Sequence, residues 1–193
     1  ISKMSQESLF KIFKYFGDEK YAKLISKKIV QSREIKKINT ENLVEIIESI
    51  KNKNSGKNKS TKIFQALRIF VNKEITELIN GLIKAYKILP IGGVIVVVTF
   101  HSIEDKIVKF FFREYSEIKN SSRYLPKSIS TKKYFNLIKK KPITPSSSEV
   151  KTNPPSRSAK LRFAYKLNNG CDFTSFLNKF KHLMEIENFS HNV

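Results

Sequence analysis

This chain lacks most of what marks a secreted, metal-built or membrane protein. It has one cysteine, Cys171, among 193 residues. A single thiol excludes a disulfide framework and any cysteine-rich zinc site. The three histidines are scattered and give no ligand spacing, so no metal is expected. No run of 18 apolar residues and no cleavable signal pattern occur, so neither a membrane partner nor export is expected, and the cytoplasm is the expected location. There is no G-x-G-x-x-G and no P-loop, which removes the two common phosphate-cradling motifs. Acidic residues are scarce: 17 Asp and Glu stand against 37 Lys and Arg, a formal net charge of +20.

That charge is uneven. Residues 106–166 hold 16 Lys/Arg against 3 Asp/Glu, hence +13, whereas 1–105 contribute +8 and 167–193 contribute −1. Concentrated positive charge with interleaved aromatics suits a phosphate backbone. A general bias towards Lys, Asn and Ile is the alternative, but such a bias would not spare the tail. With 40% hydrophobic residues and 15 Phe, the chain can bury a core.

Helical spacing is clear in three short segments. Leu9, Ile12, Phe13 and Phe16 follow a possible Ser5 cap; Tyr21, Leu24, Ile25 and Ile29 follow the Gly17-Asp18 break; Leu43, Ile46, Ile47 and Ile50 follow Thr40 as the expected cap. Residues 51–60 read as a polar linker. One long helical pattern then runs from Thr61 through Tyr86 and stops before Pro90. Later, Tyr134–Lys139 and Ala159–Leu167 read as strands, residues 141–158 as a proline-stiffened loop, and 172–187 as a last amphipathic helix.

The segment richest in information is Gly92–Asp105. A two-glycine turn feeds Val94–Val98, five aliphatics that predict a central parallel strand buried on both faces. His101 and Ser102 then stand at the strand's carboxyl end, where open α/β sheets bind ligands. Ser102 is placed to cap the next helix with Asp105 as its third residue, and Glu104 is expected to face solvent.

Four motifs occur in order: Phe64-Gln65-Ala66-Leu67-Arg68-Ile69-Phe70-Val71-Asn72, Phe100–Lys109, Lys140-Lys141-Pro142-Ile143-Thr144-Pro145-Ser146 and Arg157-Ser158-Ala159-Lys160-Leu161-Arg162. Together with Tyr15–Glu19, Ala22 and Arg33, they resemble the bacterial small-subunit (16S) ribosomal RNA cytosine-N4 methyltransferase family over residues 1 to about 167. Departures are small: Asn58-Lys59 stands for a usual His-Pro, Ile103 for Leu, and Ser147-Ser148-Glu149 for an acidic run.

The resemblance implies an α/β protein: the C-terminal part of a class I, Rossmann-like, S-adenosylmethionine-dependent methyltransferase sheet plus a small all-helical insert. The implied domains are 1–58 (helical insert), 59–167 (C-terminal half of the methyltransferase domain) and 168–193 (divergent helical tail). The cofactor-binding residues would lie upstream of Ile1, so none is expected in this chain, and the isolated chain is expected to be inactive. Ribosomal RNA in the small subunit is the implied partner.

Methylating the N4 amine of cytosine requires alignment, an acceptor for its proton, and a base out of its stack. His101 is the candidate catalytic residue: it can accept from the amine, contact a flipped base or bind a phosphate, or else simply bond backbone and orient the following helix. Arg157, Lys160, Arg162 and Lys141 are candidates for RNA contact, with Lys160 and Arg162 on one strand face. Ser102, Asp105, Arg68 and Asn72 are expected to be structural or positioning residues. Two other readings compete: a non-catalytic RNA-binding module derived from the same fold, and a phosphate-ester enzyme using His101, which lacks a nucleophile–base pair.

Overall fold

The computed structural model describes residues 1–51, 60–116 and 132–189. The polar linker and the basic loop after Tyr115 therefore fall mostly outside the described residues. Contacts divide the chain into two compact units: Ile1–Thr76 with the chain from Lys181 onward, and Glu77–Phe180. Among the described residues no helix is long and apolar enough to cross a membrane.

The first unit is helical. Helix α1 (Gln6–Tyr15) starts at Ser5, whose hydroxyl accepts from the Ser8 N–H at 3.0 Å. Leu9, Ile12 and Phe13 form its buried stripe, as the 3.6-residue period requires. Gly17 follows, where an added Cβ would lie 2.7 Å from the Lys62 carbonyl, so only glycine allows this approach. Helix α2 (Ala22–Ile35) and helix α3 (Thr40–Ile50) follow. The cap of α3 is Asn39 rather than Thr40, accepting from Asn42 N–H at 2.8 Å. Glu19 and Lys51, both buried, pair at 2.5 Å and tie the α1–α2 turn to the end of α3.

The long helix expected over 61–86 is two. Helix α4 (Thr61–Asn72) ends at Lys73, which is left-handed at φ 51° and donates to the carbonyls of Ile69 and Phe70. Helix α5 (Glu74–Ile88) restarts at once. The restart is stabilised from far along the chain: buried Glu187 accepts from the backbone N–H groups of Ile75 and Thr76, each at 2.8 Å, and from the Thr76 hydroxyl at 2.5 Å. A carboxylate at a helix N-terminus satisfies orphan donors and meets the positive end of the dipole. Burial nonetheless pushes the Glu187 carboxyl above its usual value, the three hydrogen bonds only partly opposing it.

The second unit carries a three-stranded sheet in the order β1-β3-β2. Strand β1 is Val94–Thr99, β2 is Phe135–Asn136 and β3 is Lys160–Lys166. Both pairings are antiparallel, with Val96 opposite Phe163 and Val98 opposite Leu161. The expectation of a parallel strand is thus not met among the described residues, nor is burial on both faces. Ile95 and Thr99 are buried, but Val94, Val96 and Val98 are 38%, 56% and 49% exposed. The expected strand over 134–139 shrinks to two residues. The loop over 141–158 is more ordered than expected, with helix α7 (Ser147–Thr152) and a 3-10 turn at Pro154–Ser158.

Helix α6 (Ser102–Ser116) and helix α8 (Thr174–Glu187) complete the elements. The core of this unit is aromatic: Phe111 packs on Phe135, Phe173 and Phe176 with ring centroids 5.0–5.7 Å apart. Lys166, 2% exposed, points inward from β3 and donates to the carbonyls of Tyr86 and Leu89 at 2.8 and 2.7 Å. It thereby closes the C-terminus of α5, with its ammonium 4.4 Å from the Tyr86 ring centroid.

Candidate functional site at the carboxyl end of β1

Strand β1 ends at Thr99 and helix α6 begins at Ser102, leaving Phe100 and His101 as the connection. As at any helix start, the first N–H groups of α6 have no intrahelical acceptors. His101 and Glu104 supply them. The His101 Nδ1 accepts from the Glu104 backbone N–H at 3.4 Å. In return, Glu104 Oε2 accepts from the N–H of Phe100 at 2.9 Å and of His101 at 3.4 Å. This is the reciprocal logic of a capping box, built with an imidazole in place of a hydroxyl.

The cap is therefore one residue earlier than the sequence led us to expect. Ser102 is the exposed first residue of the helix, not its cap, and Glu104 faces the connection instead of solvent. The shift arises because an imidazole nitrogen can reach the third helical N–H as a seryl oxygen would.

The same geometry defines the chemistry of the ring. With Nδ1 accepting, the neutral imidazole carries its proton on Nε2, and Nε2 lies 3.2 Å from Glu104 Oε1. The ring thus faces the Glu104 carboxylate at ion-pair distance without hydrogen-bond geometry at Nε2, and its acceptor nitrogen is engaged by backbone. Burial by itself would raise the Glu104 carboxyl, but the adjacent His101 ring and the hydrogen bond from the Phe100 N–H outweigh it and hold it below its usual value. The end of β1 therefore presents an ionised, partly exposed carboxylate.

Asp105 does something different from capping. Its carboxylate accepts from Arg162 Nε at 2.7 Å and from Lys160 Nζ at 3.2 Å, joining the first turn of α6 to β3. Burial works to raise this carboxyl, yet the Arg162 hydrogen bond and the two cations hold it low. Arg162 is 8% exposed and also donates to the Lys140 carbonyl at 3.1 Å. Lys160 and Arg162 do share a strand face, as alternation predicted, but that face turns inward onto Asp105. Arg157 and Lys141 are exposed.

In the helical unit, Arg68 and Asn72 converge on one carboxylate. Arg68 donates to Glu74 through Nε at 2.8 Å and Nη2 at 3.1 Å, and Asn72 Nδ2 does so at 3.2 Å. Their pairing is local, across the α4–α5 break. Cys171 is no nucleophile, since burial and the adjacent Asp172 push its thiol up to about 12.

Sequence reasoning missed Glu104, Lys166 and Glu187. The spacing His101-x-x-Glu104 was a readable signal, had histidine been admitted as a cap. Nothing local to Lys166 or Glu187 announces the helix ends they serve. The residues at the end of β1 do not by themselves make a cofactor site: His101 and Glu104 are bound into the cap, and no glycine-rich loop accompanies them.

The sequence profile of the MraW methylase family matches residues 1–167. The chain is 40% identical over 166 residues to the ribosomal RNA small subunit methyltransferase H of Sulfurihydrogenibium sp. strain YO3AOP1, covering 84% of this chain and 52% of that protein. It is 41% identical over 170 residues to the protein of that name from Caldicellulosiruptor saccharolyticus, with 86% and 55% covered. Against that of Bartonella henselae it is 39% identical over 176 residues, with 90% and 51% covered. The chain spans about half the length of these relatives.

Proposed function

The chain belongs to the MraW methylase family, and from that premise we propose that it is the C-terminal part of an enzyme that methylates the N4 amine of a cytosine in small-subunit ribosomal RNA. The observation that carries the chemistry is the ionised Glu104, held at the carboxyl end of β1 by its cap with His101. An exocyclic amine needs an acceptor as positive charge develops on it, and a carboxylate kept ionised and partly open supplies one. The acceptor role first considered for His101 thus passes to Glu104. His101 positions that carboxylate through their reciprocal cap and holds the helix that bears it. Lys160 and Arg162 of β3 hold the same turn through Asp105, while exposed Arg157 and Lys141 meet RNA phosphate.

S-adenosylmethionine is the methyl donor this reading requires, held by a cofactor-binding half outside the 193 residues. Two observations support an incomplete class I sheet: the matched region covers only 52% and 55% of two relatives, and Val94, Val96 and Val98 form a partly exposed apolar face. The helical insert, residues 1–58, would then serve substrate recognition.

The test is methylation of small subunits by the full-length protein, read as N4-methylcytosine by mass spectrometry. Glu104→Gln is expected to lower turnover about 10²-fold or more, within the usual range for a proton acceptor. Unchanged turnover would remove Glu104 from the chemistry, and a methyl group on another atom would overturn the reaction. The 193-residue chain alone is expected to bind no S-adenosylmethionine in calorimetry. A non-catalytic RNA-binding module remains the rival reading, motivated by the +13 of residues 106–166. A coding sequence continuous with Ile1 and bearing a glycine-rich loop would exclude it.

A further inference from the structure

On the second unit, away from the cap of α6, a cavity of about 250 Å³ opens between α6, the chain after β2, and β3. Lys109, Arg113, Lys140, Lys141 and Arg162 line it over an apolar floor of Phe112. Among the described residues its lining contains no carboxylate. Lys109 and Arg113 are four apart on one helix, so they stand on one face a turn from each other. Arg162 is held rigid, and its charge balanced, by Asp105 and the Lys140 carbonyl, so it forms a fixed polar part of the floor while the surrounding lysines and Arg113 supply the positive charge. Lys109 and Lys141 are exposed and able to follow a ligand.

We propose that this cavity binds a phosphodiester of single-stranded RNA, with Lys109 and Lys141 as its phosphate contacts. The proposal rests on the RNA reading above and moves the phosphate contacts from Lys160 and Arg162, which are turned onto Asp105, to Lys109 and Lys141. Lys109, Arg113, Lys140 and Lys141 around a small cavity favour a polyanion, because each neutralised phosphate releases condensed counterions. The Phe112 floor and the aliphatic stems beside it suit a ribose or base edge, and the Arg113 guanidinium offers a plane for stacking. A polymer fits better than a free nucleotide because a second cavity adjoins the first: it shares Leu137 and Lys140 and adds Lys133 to its lining. The two make a continuous basic track, the form by which proteins follow a single strand.

The test uses fluorescence anisotropy of a twelve-nucleotide single-stranded RNA with the intact chain. Wild type is compared with Lys109→Gln/Lys141→Gln, and with Lys179→Gln/Lys181→Gln, an equal charge loss in the tail. The pocket variant is expected to bind about tenfold more weakly, with the salt slope shallower by about 1.4, as for two lost single-strand phosphate contacts. The tail variant should stay within twofold, and Lys109→Arg/Lys141→Arg should restore binding. If wild type binds and the pocket variant binds equally well, the pocket is overturned while the RNA reading stands. If wild type binds no RNA, that reading falls and the pocket with it. Displacement of the oligomer by cytidine monophosphate at equal concentration would overturn the polymer assignment.

Discussion

The two units place their buried ion pairs differently. In the helical unit, Glu19 meets Lys51 and Glu187 meets the first N–H groups of α5, and both contacts close helix ends or turns. In the sheet unit, Asp105 and Arg162 join a helix to a strand beside the candidate site, while one face of β1 stays apolar and open. A helix satisfies its own backbone, so a helical unit needs tertiary partners only at its ends. A strand needs neighbours along its edges, and an antiparallel sheet needs cover on one face only. The helical unit is therefore closed by a few side chains, whereas this sheet keeps a second, apolar face open.

Asp105→Ala should test the contrast most strongly. It leaves the Arg162 guanidinium buried, and arginine cannot shed its proton. Loss of one partner of such a pair costs about 3–5 kcal/mol; chemical denaturation followed in each unit should place the loss in the sheet unit. Glu19→Ala in the helical unit should cost less, about 1–3 kcal/mol, because a flexible lysine can reorient its ammonium, whereas the Arg162 fork is held between Asp105 and the Lys140 carbonyl. Equal losses would dissolve the distinction.

Within the sheet, the two faces of β1 should respond differently. Ile95→Ala empties a packed site and should cost about 2–5 kcal/mol. Val96→Thr on the open face should change stability by less than about 0.5 kcal/mol. A large loss at Val96 would mean that this face is covered. His101→Ala removes a cap and should cost about 0.5–2 kcal/mol, read by thermal unfolding.

The smallest effect is a difference in pH response. Asp105 is held below its usual value, so its stabilisation is complete above the unfolded pKa and is lost as pH falls through the folded one. Glu187 is raised, so the stability linked to its protonated form is complete below the unfolded pKa and is lost as pH rises through the folded one. Acidification should thus weaken the sheet unit through Asp105 while relieving Glu187. Unfolding curves of Asp105→Asn and Glu187→Gln across the carboxylate range should change slope in opposite senses; a shared sense would refute the assignment.

The helices α1, α2, α3 and α8 were legible because an amphipathic period is written in consecutive residues. Strands β1 and β3 were legible as apolar or alternating runs, and His101 was correctly placed at the connection. What could not be read were events caused by distant residues. Glu187 lies more than a hundred residues from the helix start it caps. Lys166 looks like any strand lysine until the end of α5 is brought to it.

By itself, then, the sequence determined where segments are helical or extended, where positive charge gathers, and which family the motifs resemble, because these depend on local pattern and composition. Only the tertiary structure decided that β1 pairs antiparallel with β3, that 61–88 breaks at Lys73, that Arg162 serves Asp105, and that His101 with Glu104 caps α6. Those choices belong to hydrogen-bond donors and acceptors seeking partners across space, and no linear spacing records which partner each one finds.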